Sequence, residues 1–329
     1  GLVGSEMCIR DRDMGNVMHM ALEKFAAEVR KEGLDWADLT EEERNRIIDD
    51  CLDQVSADYG NTVLKSSARN EYMIERTRRI LRRTVWALQE QLKHGEFRPE
   101  GFEVKFEGGR IDRVDIMEEP EKNRVYVKVI DYKTGNTSFD MLALYHGLQL
   151  QLMIYLDGAL KVEQRKYPER EIVPAGIFYY RIQDPIVARE KTDEKTEESI
   201  LKELKLDGLV NGEEEVIEHL EANLTGSSLY YPLRRNQNGL LGSASKALPQ
   251  EKFETVLAYT RAKQKELKAE MYEGEVSALP YLLGEDTGCD FCACKGICGF
   301  DQRIEGCEYR QLQKYSLEEA VECLSLIHI

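Results

Sequence analysis

Between Phe102 and Lys133 the spacing of apolar residues changes to a period of two, and this change constrains the fold more than any other feature of the chain. Phe102, Val104 and Phe106 alternate with Glu103 and Lys105, and alternating runs from Arg110 to Met117 and from Arg124 to Lys133 follow. A two-residue repeat is the signature of strands, whose side chains point to opposite faces in turn. Glu119-Pro120-Glu121-Lys122-Asn123 separates the last two runs, so they read as a hairpin. The first hundred residues carry helical spacing instead. From Met14 to Arg30, Met18, Leu22, Phe25 and Val29 form an apolar stripe, while Gly15, His19 and Glu23 follow one another at i+4 on another face. Further helices are predicted from Glu41 to Tyr59 and from Ala68 to Lys93, the latter burying Met73, Ile80, Leu81, Thr84 and Leu88. Downstream the pattern predicts a helix from Met141 to Lys161, a strand from Ile172 to Arg181 and exposed, charged helices from Thr192 to Ala222. A polar loop from Leu229 to Ala247 and a long helix from Pro249 to Met271 complete it. Helices, three strands, helix, strand is the order of an α/β fold with a small mixed sheet flanked by helices.

The hairpin register carries the chemistry. A turn centred between Glu121 and Lys122 sets Asp112 directly opposite Asp131, with β-carbons about 4.5–5.5 Å apart. Val125, Val127, Val129, Asp131 and Lys133 share one strand face, so an apolar face ends in an aspartate and a lysine. Val114 and Ile116 share the face of Asp112, whereas Asp115 points away with Ile111 and Arg113. Two carboxylates held this close repel unless a cation lies between them, and oxygen ligands suit Mg²⁺ or Mn²⁺. A lysine two residues on can position an attacking water or offset charge on a pentavalent phosphorus. Glu103, on the strand before the hairpin, is a further carboxylate able to assist the metal. A lone Asp-x-Lys at a strand end is more often a plain ion pair, and a histidine on an amphipathic helix more often a surface or packed residue, so spacing alone leaves both alternatives open.

The chain has 329 residues and a formal net charge of −16, which excludes coating nucleic acid by bulk charge and requires any such contact to be focused. Arg76, Arg78, Arg79, Arg82 and Arg83 straddle the stripe of their helix, as either a solvated face or a nucleic-acid-lining one. No run reaches the roughly 18 apolar residues of a spanning helix. No Gly-x4-Gly-Lys-Ser/Thr phosphate loop occurs either. Cys289, Cys292, Cys294, Cys298 and Cys307 fall together, and without a secretory pattern such clustering implies metal rather than disulfides and a cytoplasmic location. Cys289-x2-Cys292-x5-Cys298 can converge on one soft centre but leaves a fourth ligand to be found. The opening residues 1–12 and closing residues 324–329 resemble translated sequencing-adapter read-through, so the natural sequence is expected to run from near Asp13 to near Cys323, with Cys8 not part of it.

The ordered set Gly15-x3-His19, Gly109-Arg110-Ile111-Asp112, Asp131-Tyr132-Lys133-Thr134-Gly135 and Gln151-x3-Tyr155 resembles the RecB-family nuclease module of the PD-(D/E)XK superfamily, with its restriction-endonuclease-like core. The segments GRIDRVD, VIDYKTG, QLQLMIYL and GIFYYRIQDP narrow the resemblance to the AddB family, second subunits of bacterial AddAB helicase–nucleases, from about Asp13 to Tyr315. This resemblance implies a nuclease domain over 13–315, with a helical insert at 41–95, a catalytic core at 100–182, an extension at 183–275 and a cysteine segment at 280–307. It implies that Asp112 and Asp131 are ligands of Mg²⁺ or Mn²⁺, that Lys133 is the catalytic lysine and that His19 belongs to the metal site. Gln151 and Tyr155, one turn apart, would hold Lys133 or a DNA phosphate; a polar stripe on a core helix is the alternative. It further implies a 4Fe-4S cluster on Cys289, Cys292 and Cys298 with a fourth cysteine upstream, zinc being the alternative. DNA would be the substrate and an AddA helicase–nuclease subunit the partner that brings ATP dependence. The implied role is cleavage of the 5′-ended strand during double-strand break repair by homologous recombination. Two other functions stay open: a stand-alone RecB-like exonuclease of the CRISPR-associated type, and a catalytically silent DNA-binding scaffold with a structural metal cluster. Intact Asp112, Asp131 and Lys133 stand against the second.

Overall fold

Caps and periodicity place the first three helices close to where the sequence predicts them. The computed structural model describes residues 11–59, 68–290 and 292–326; residues 1–10, with Cys8, and 327–329 lie outside them. In chain order come α1 (Asp11–Lys31), α2 (Glu41–Asp58), α3 (Ala68–Lys93), β1 (Arg98–Phe106), β2 (Gly109–Glu119), β3 (Arg124–Lys133), α4 (Met141–Tyr145) and α5 (Gln151–Lys166). Then follow β4 (Glu171–Arg181), α6 (Asp193–Glu203), β5 (Asp207–Asn211), α7 (Glu214–Leu220), β6 (Ala247–Leu248) and α8 (Gln250–Glu273). The rest is short: β7 (Tyr281–Leu283), β8 (Asp286–Thr287), α9 (Lys295–Cys298), β9 (Arg310–Gln311) and α10 (Leu317–Leu326). Thr40 begins α2 with a full capping box, its hydroxyl accepting from Glu43 N–H while Glu43 accepts from Thr40 N–H. Among the described residues no helix is long and apolar enough to cross a membrane.

The chain divides into two compact units, one of Gly1–Phe139 with Tyr155–Gln250 and one of Asp140–Ile154 with Glu251–Ile329. The first contains a six-stranded mixed sheet in the order β1-β2-β3-β4-β5-β6. β1, β2 and β3 are antiparallel, β3 and β4 parallel, β4 and β5 antiparallel, and β5 and β6 parallel. Arg113 lies opposite Ile130 and Glu119 opposite Arg124, the register expected from the hairpin arithmetic. α1, α2 and α3 supply Leu22, Phe25, Ile48, Leu81 and Leu88 to a core shared with Tyr126, Ile130 and Tyr132 of β3. Val125, Val127 and Val129 project to the opposite face and are fully buried there. α5 crosses β1 at Gly158, where a side chain would collide with the Phe106 ring.

Three expectations are corrected. The helix predicted from Met141 to Lys161 is two helices, because Gly147 takes a left-handed φ of 76° after α4 and ends it. The charged stretch from Thr192 to Ala222 is not all exposed helix: β5 lies inside it, with Leu209 and Val210 fully buried. Its apolar run is short, and Gly208 fits because a Cβ there would strike the Ile177 carbonyl of β4. The polar loop from Leu229 to Ala247 buries Tyr230, Tyr231 and Leu233.

In the second unit, Asp140 caps α4 by accepting from Leu142 N–H at 2.8 Å. Tyr145 of α4 stacks on Tyr259 of α8, and β7 pairs with β8 and β9 in a three-stranded sheet. α10 buries Ala320, Val321 and Leu324.

Candidate active site

The first unit gathers its ionisable residues at one end of the β1-β2-β3 sheet. Carrying the β2–β3 register one residue past Arg113 and Ile130 sets Asp112 opposite Asp131, and the Tyr132 N–H donates to Asp112 Oδ2 at 2.7 Å. On the other side of β2, the pairs Phe102–Arg113 and Val104–Ile111 bracket Glu103, so Glu103 stands across from Asp112. Three carboxylates thus form a rank over three neighbouring strands. Above them His19 of α1 brings Nδ1 to 3.5 Å from Asp112 Oδ2. Gly15, one turn earlier, lets α1 come this close, since a Cβ there would stand 3.3 Å from Thr134 Oγ1 just past β3.

Burial and crowded negative charge act together on Asp131, Glu103 and His19. Asp131 is 2% exposed, and burial, then the charge of Asp112, push its pKa up to about 6 against the pull of Lys133 and His19. Burial also raises Glu103, with Asp112 adding to it and Arg110 opposing, the Arg110 Nε lying 2.5 Å from its carboxylate. For His19, burial acts downwards but is outweighed by its hydrogen bond to Asp112 and by the charges of Asp112, Glu103 and Asp131, so its pKa rises. Lys133 Nζ lies 2.5 Å from Asp131 Oδ2 and 5.4 Å above the Tyr179 ring, which fixes its ammonium at the strand end.

A divalent cation fits this donor set. One ligand atom each of His19, Glu103 and Asp112 lies within 4.8 Å of the others; Asp131, held by Lys133, is not part of this trio. The pocket of about 670 Å³ in front of them is lined by His19, Glu103, Asp112, Thr134 and Tyr155 among others. Tyr155 meets Phe106 edge to face. Gln151 opens α5 one turn before Tyr155 and is exposed; it belongs, with the cysteines, to the second unit. There Cys289, Cys292, Cys294, Cys298 and Cys307 are free thiols. A second trio, Glu119, Glu215 and His219, sits at the turn end of the hairpin, but Lys122 and Arg124 already pair with its carboxylates. Glu103 is the site residue that sequence reasoning weighed least, and its signal was its place opposite Asp112.

A sequence model of the PD-(D/E)XK nuclease superfamily matches residues 6–299. The chain belongs to this superfamily. Similar curated proteins are named as the B-type subunit of an ATP-dependent helicase/deoxyribonuclease. That of Alkaliphilus metalliredigens is 35% identical over 96% of this chain and 29% of its own length. That of Lachnoclostridium phytofermentans is 36% identical over 93% and 28%, and that of Clostridioides difficile 33% identical over 95% and 29%. The chain therefore spans less than a third of the length of these relatives. The superfamily's name describes an acidic residue and a lysine separated by one residue, the spacing of Asp131 and Lys133.

Proposed function

We propose that this chain is the nuclease domain of an AddB-like helicase–nuclease subunit, a divalent-cation-dependent deoxyribonuclease. In this reading it works in the cytoplasm with an AddA partner, cleaving the 5′-ended strand during double-strand break processing for homologous recombination. The observation that carries the reading is the juxtaposition of Asp112, Asp131 and Lys133 on adjacent strands beneath His19. The names of the relatives support the subunit and the DNA substrate.

His19, Asp112 and Glu103, whose ligand atoms converge, would hold Mg²⁺ or Mn²⁺, with Asp131 on the neighbouring strand joining them. A bound cation of this kind polarises a phosphoryl oxygen and makes water a stronger acid. Lys133, pinned by Asp131 and Tyr179, presents a fixed positive charge where a phosphodiester gains negative charge, and it can orient the attacking water. Asp112 is itself oriented by the Tyr132 N–H, so its free oxygen keeps one direction. Tyr155 on the pocket wall is suited to holding a phosphate. In the second unit the sulfur donors of Cys289, Cys292 and Cys298 are of the kind that suits iron or zinc better than a hard cation, although among the described residues they do not form a group of three ligand atoms within 4.8 Å of one another. They would supply three ligands of a 4Fe-4S cluster; iron against zinc content of anaerobically purified protein decides between the two metals.

The test is cleavage of end-labelled single-stranded DNA by the chain with Mg²⁺. Cleavage should stop in EDTA and fall at least about 10²-fold in Lys133→Ala, the scale of losing one transition-state charge partner. Cleavage that persists unchanged in folded Lys133→Ala would remove the assignment. A partner-dependent ATP requirement, absent from the isolated chain, is expected on adding AddA.

A further inference from the structure

We infer that the groove between the first turns of α1 and α3 is a subsite for single-stranded nucleic acid, with phosphates on Arg76 and Arg79 and bases against a floor of methionine and isoleucine. The inference rests on reading the neighbouring pocket as a nuclease site. The groove encloses about 680 Å³, and Met18, Met73, Arg76, Arg79, Ile182 and Ile186 are among its lining. It is continuous with the catalytic pocket, because Gly15 and Thr134 line both. Gly15 forms the low point between them; a Cβ there would stand 3.3 Å from Thr134 Oγ1 and raise the saddle. A strand seated at Asp112 and Asp131 can therefore pass over Gly15 into the groove.

Charge selects the occupant. The chain carries −16 overall, yet at this groove the arginines outnumber their carboxylate. Arg79 Nε lies 2.7 Å and Arg83 Nε 4.0 Å from the same Asp184, while Arg76 is exposed and has no ion pair among the described residues. Arg78 and Arg82, on the same helix but turned away from the groove, are neutralised by Asp49 and Asp53. The uncompensated charge is thus a property of this groove and not of α3 as a whole. Ile186 stands fully exposed at its edge and Met73 is half-buried, apolar surface of the kind that unpaired bases cover. A polyanion with apolar faces, a single strand, matches both features; a duplex keeps its base faces stacked away.

The test is binding of the full chain to fluorescein-labelled oligothymidylate, by anisotropy across a salt series, in a Lys133→Ala background so that the strand is not cut. Each phosphate contact of a single strand contributes about 0.7 to the slope of log K against log salt, so removing both arginines should lower that slope by about 1.4. With Lys133 restored, Arg76→Glu and Arg79→Ala should raise KM several-fold more than they lower kcat. Arg82→Ala, whose partner is Asp49, should leave slope and KM unchanged. Arg76 is exposed, so its variants should fold. If the parent chain binds and cuts DNA but the double variant keeps its slope and KM, the groove is not a strand subsite and the nuclease reading stands. If the parent chain with Lys133 intact neither binds nor cuts, the nuclease reading fails and this inference falls with it.

Discussion

Asp131 sets folding against chemistry. Its carboxyl is buried beside Asp112, and the displacement of its pKa from 3.8 to about 6 corresponds to roughly 3 kcal/mol. The unfolded chain releases this proton near pH 4 and the folded chain near pH 6, so between these values the folded state binds more protons and stability falls as pH rises. His19 acts in the same sense: its raised pKa stabilises the fold at pH below the usual imidazole value, and the contribution is lost as pH rises through the folded value. Melting in EDTA should therefore occur at a lower temperature at pH 7.5 than at pH 5, and Mg²⁺ or Mn²⁺ should raise the melting temperature more at pH 7.5. Asp131→Asn should melt higher than the parent at pH 7.5 in EDTA and lose most of the response to metal. Glu103 carries a smaller local cost, since φ 49° is a left-handed conformation that a glutamate seldom adopts. Glu103→Gly should recover about 1 kcal/mol of backbone strain while weakening Mn²⁺ binding in a calorimetric titration, and Glu103→Ala should weaken binding without the recovery.

Strands β2 and β3 carry a second set of charges on the face turned from the site. Arg113 donates to both oxygens of Asp115 at 2.6 and 2.9 Å, and Lys128 Nζ lies 3.4 Å from the same carboxylate. Arg113 and Asp115 are wholly buried, and burial pulls Lys128 down to about 8 against the charge of Asp115. Removing one member of such a cluster leaves an uncompensated charge, so Asp115→Asn should cost about 3–5 kcal/mol in urea unfolding while cleavage per folded molecule stays near the parent value. The hairpin pattern made the register, and with it the opposition of Asp112 and Asp131, legible in the sequence. It also separated Asp115 from them, but alternation cannot report that the far face is covered, so the buried cluster was hidden. β5 was hidden for another reason: Asp207-Gly208-Leu209-Val210-Asn211 is too short for a period to emerge between charged helices, and only its pairing with β4 identifies it. The break between α4 and α5 depends on one glycine inside an otherwise helical pattern.

Across the whole chain, a net charge of −16 surrounds the site, which on the proposed reading receives a polyanion. Association should accordingly be weak and strongly salt-dependent in the isolated chain, with the catalytic cation and the groove arginines supplying the local attraction. The residues of the candidate site come from α1, β1, β2, β3, the loop after it and α5, so the constellation depends on the first unit's assembly and not on a local motif. The most direct measurement is the Mg²⁺-dependent rate of single-stranded DNA cleavage by Asp131→Asn and Asp115→Asn, each normalised to the folded fraction from circular dichroism. The rate should fall at least about 10²-fold in Asp131→Asn and remain near the parent value in Asp115→Asn. Equal losses in the two folded variants, or parent-level cleavage by Asp131→Asn, would contradict a metal-dependent site built on Asp112, Asp131 and Lys133.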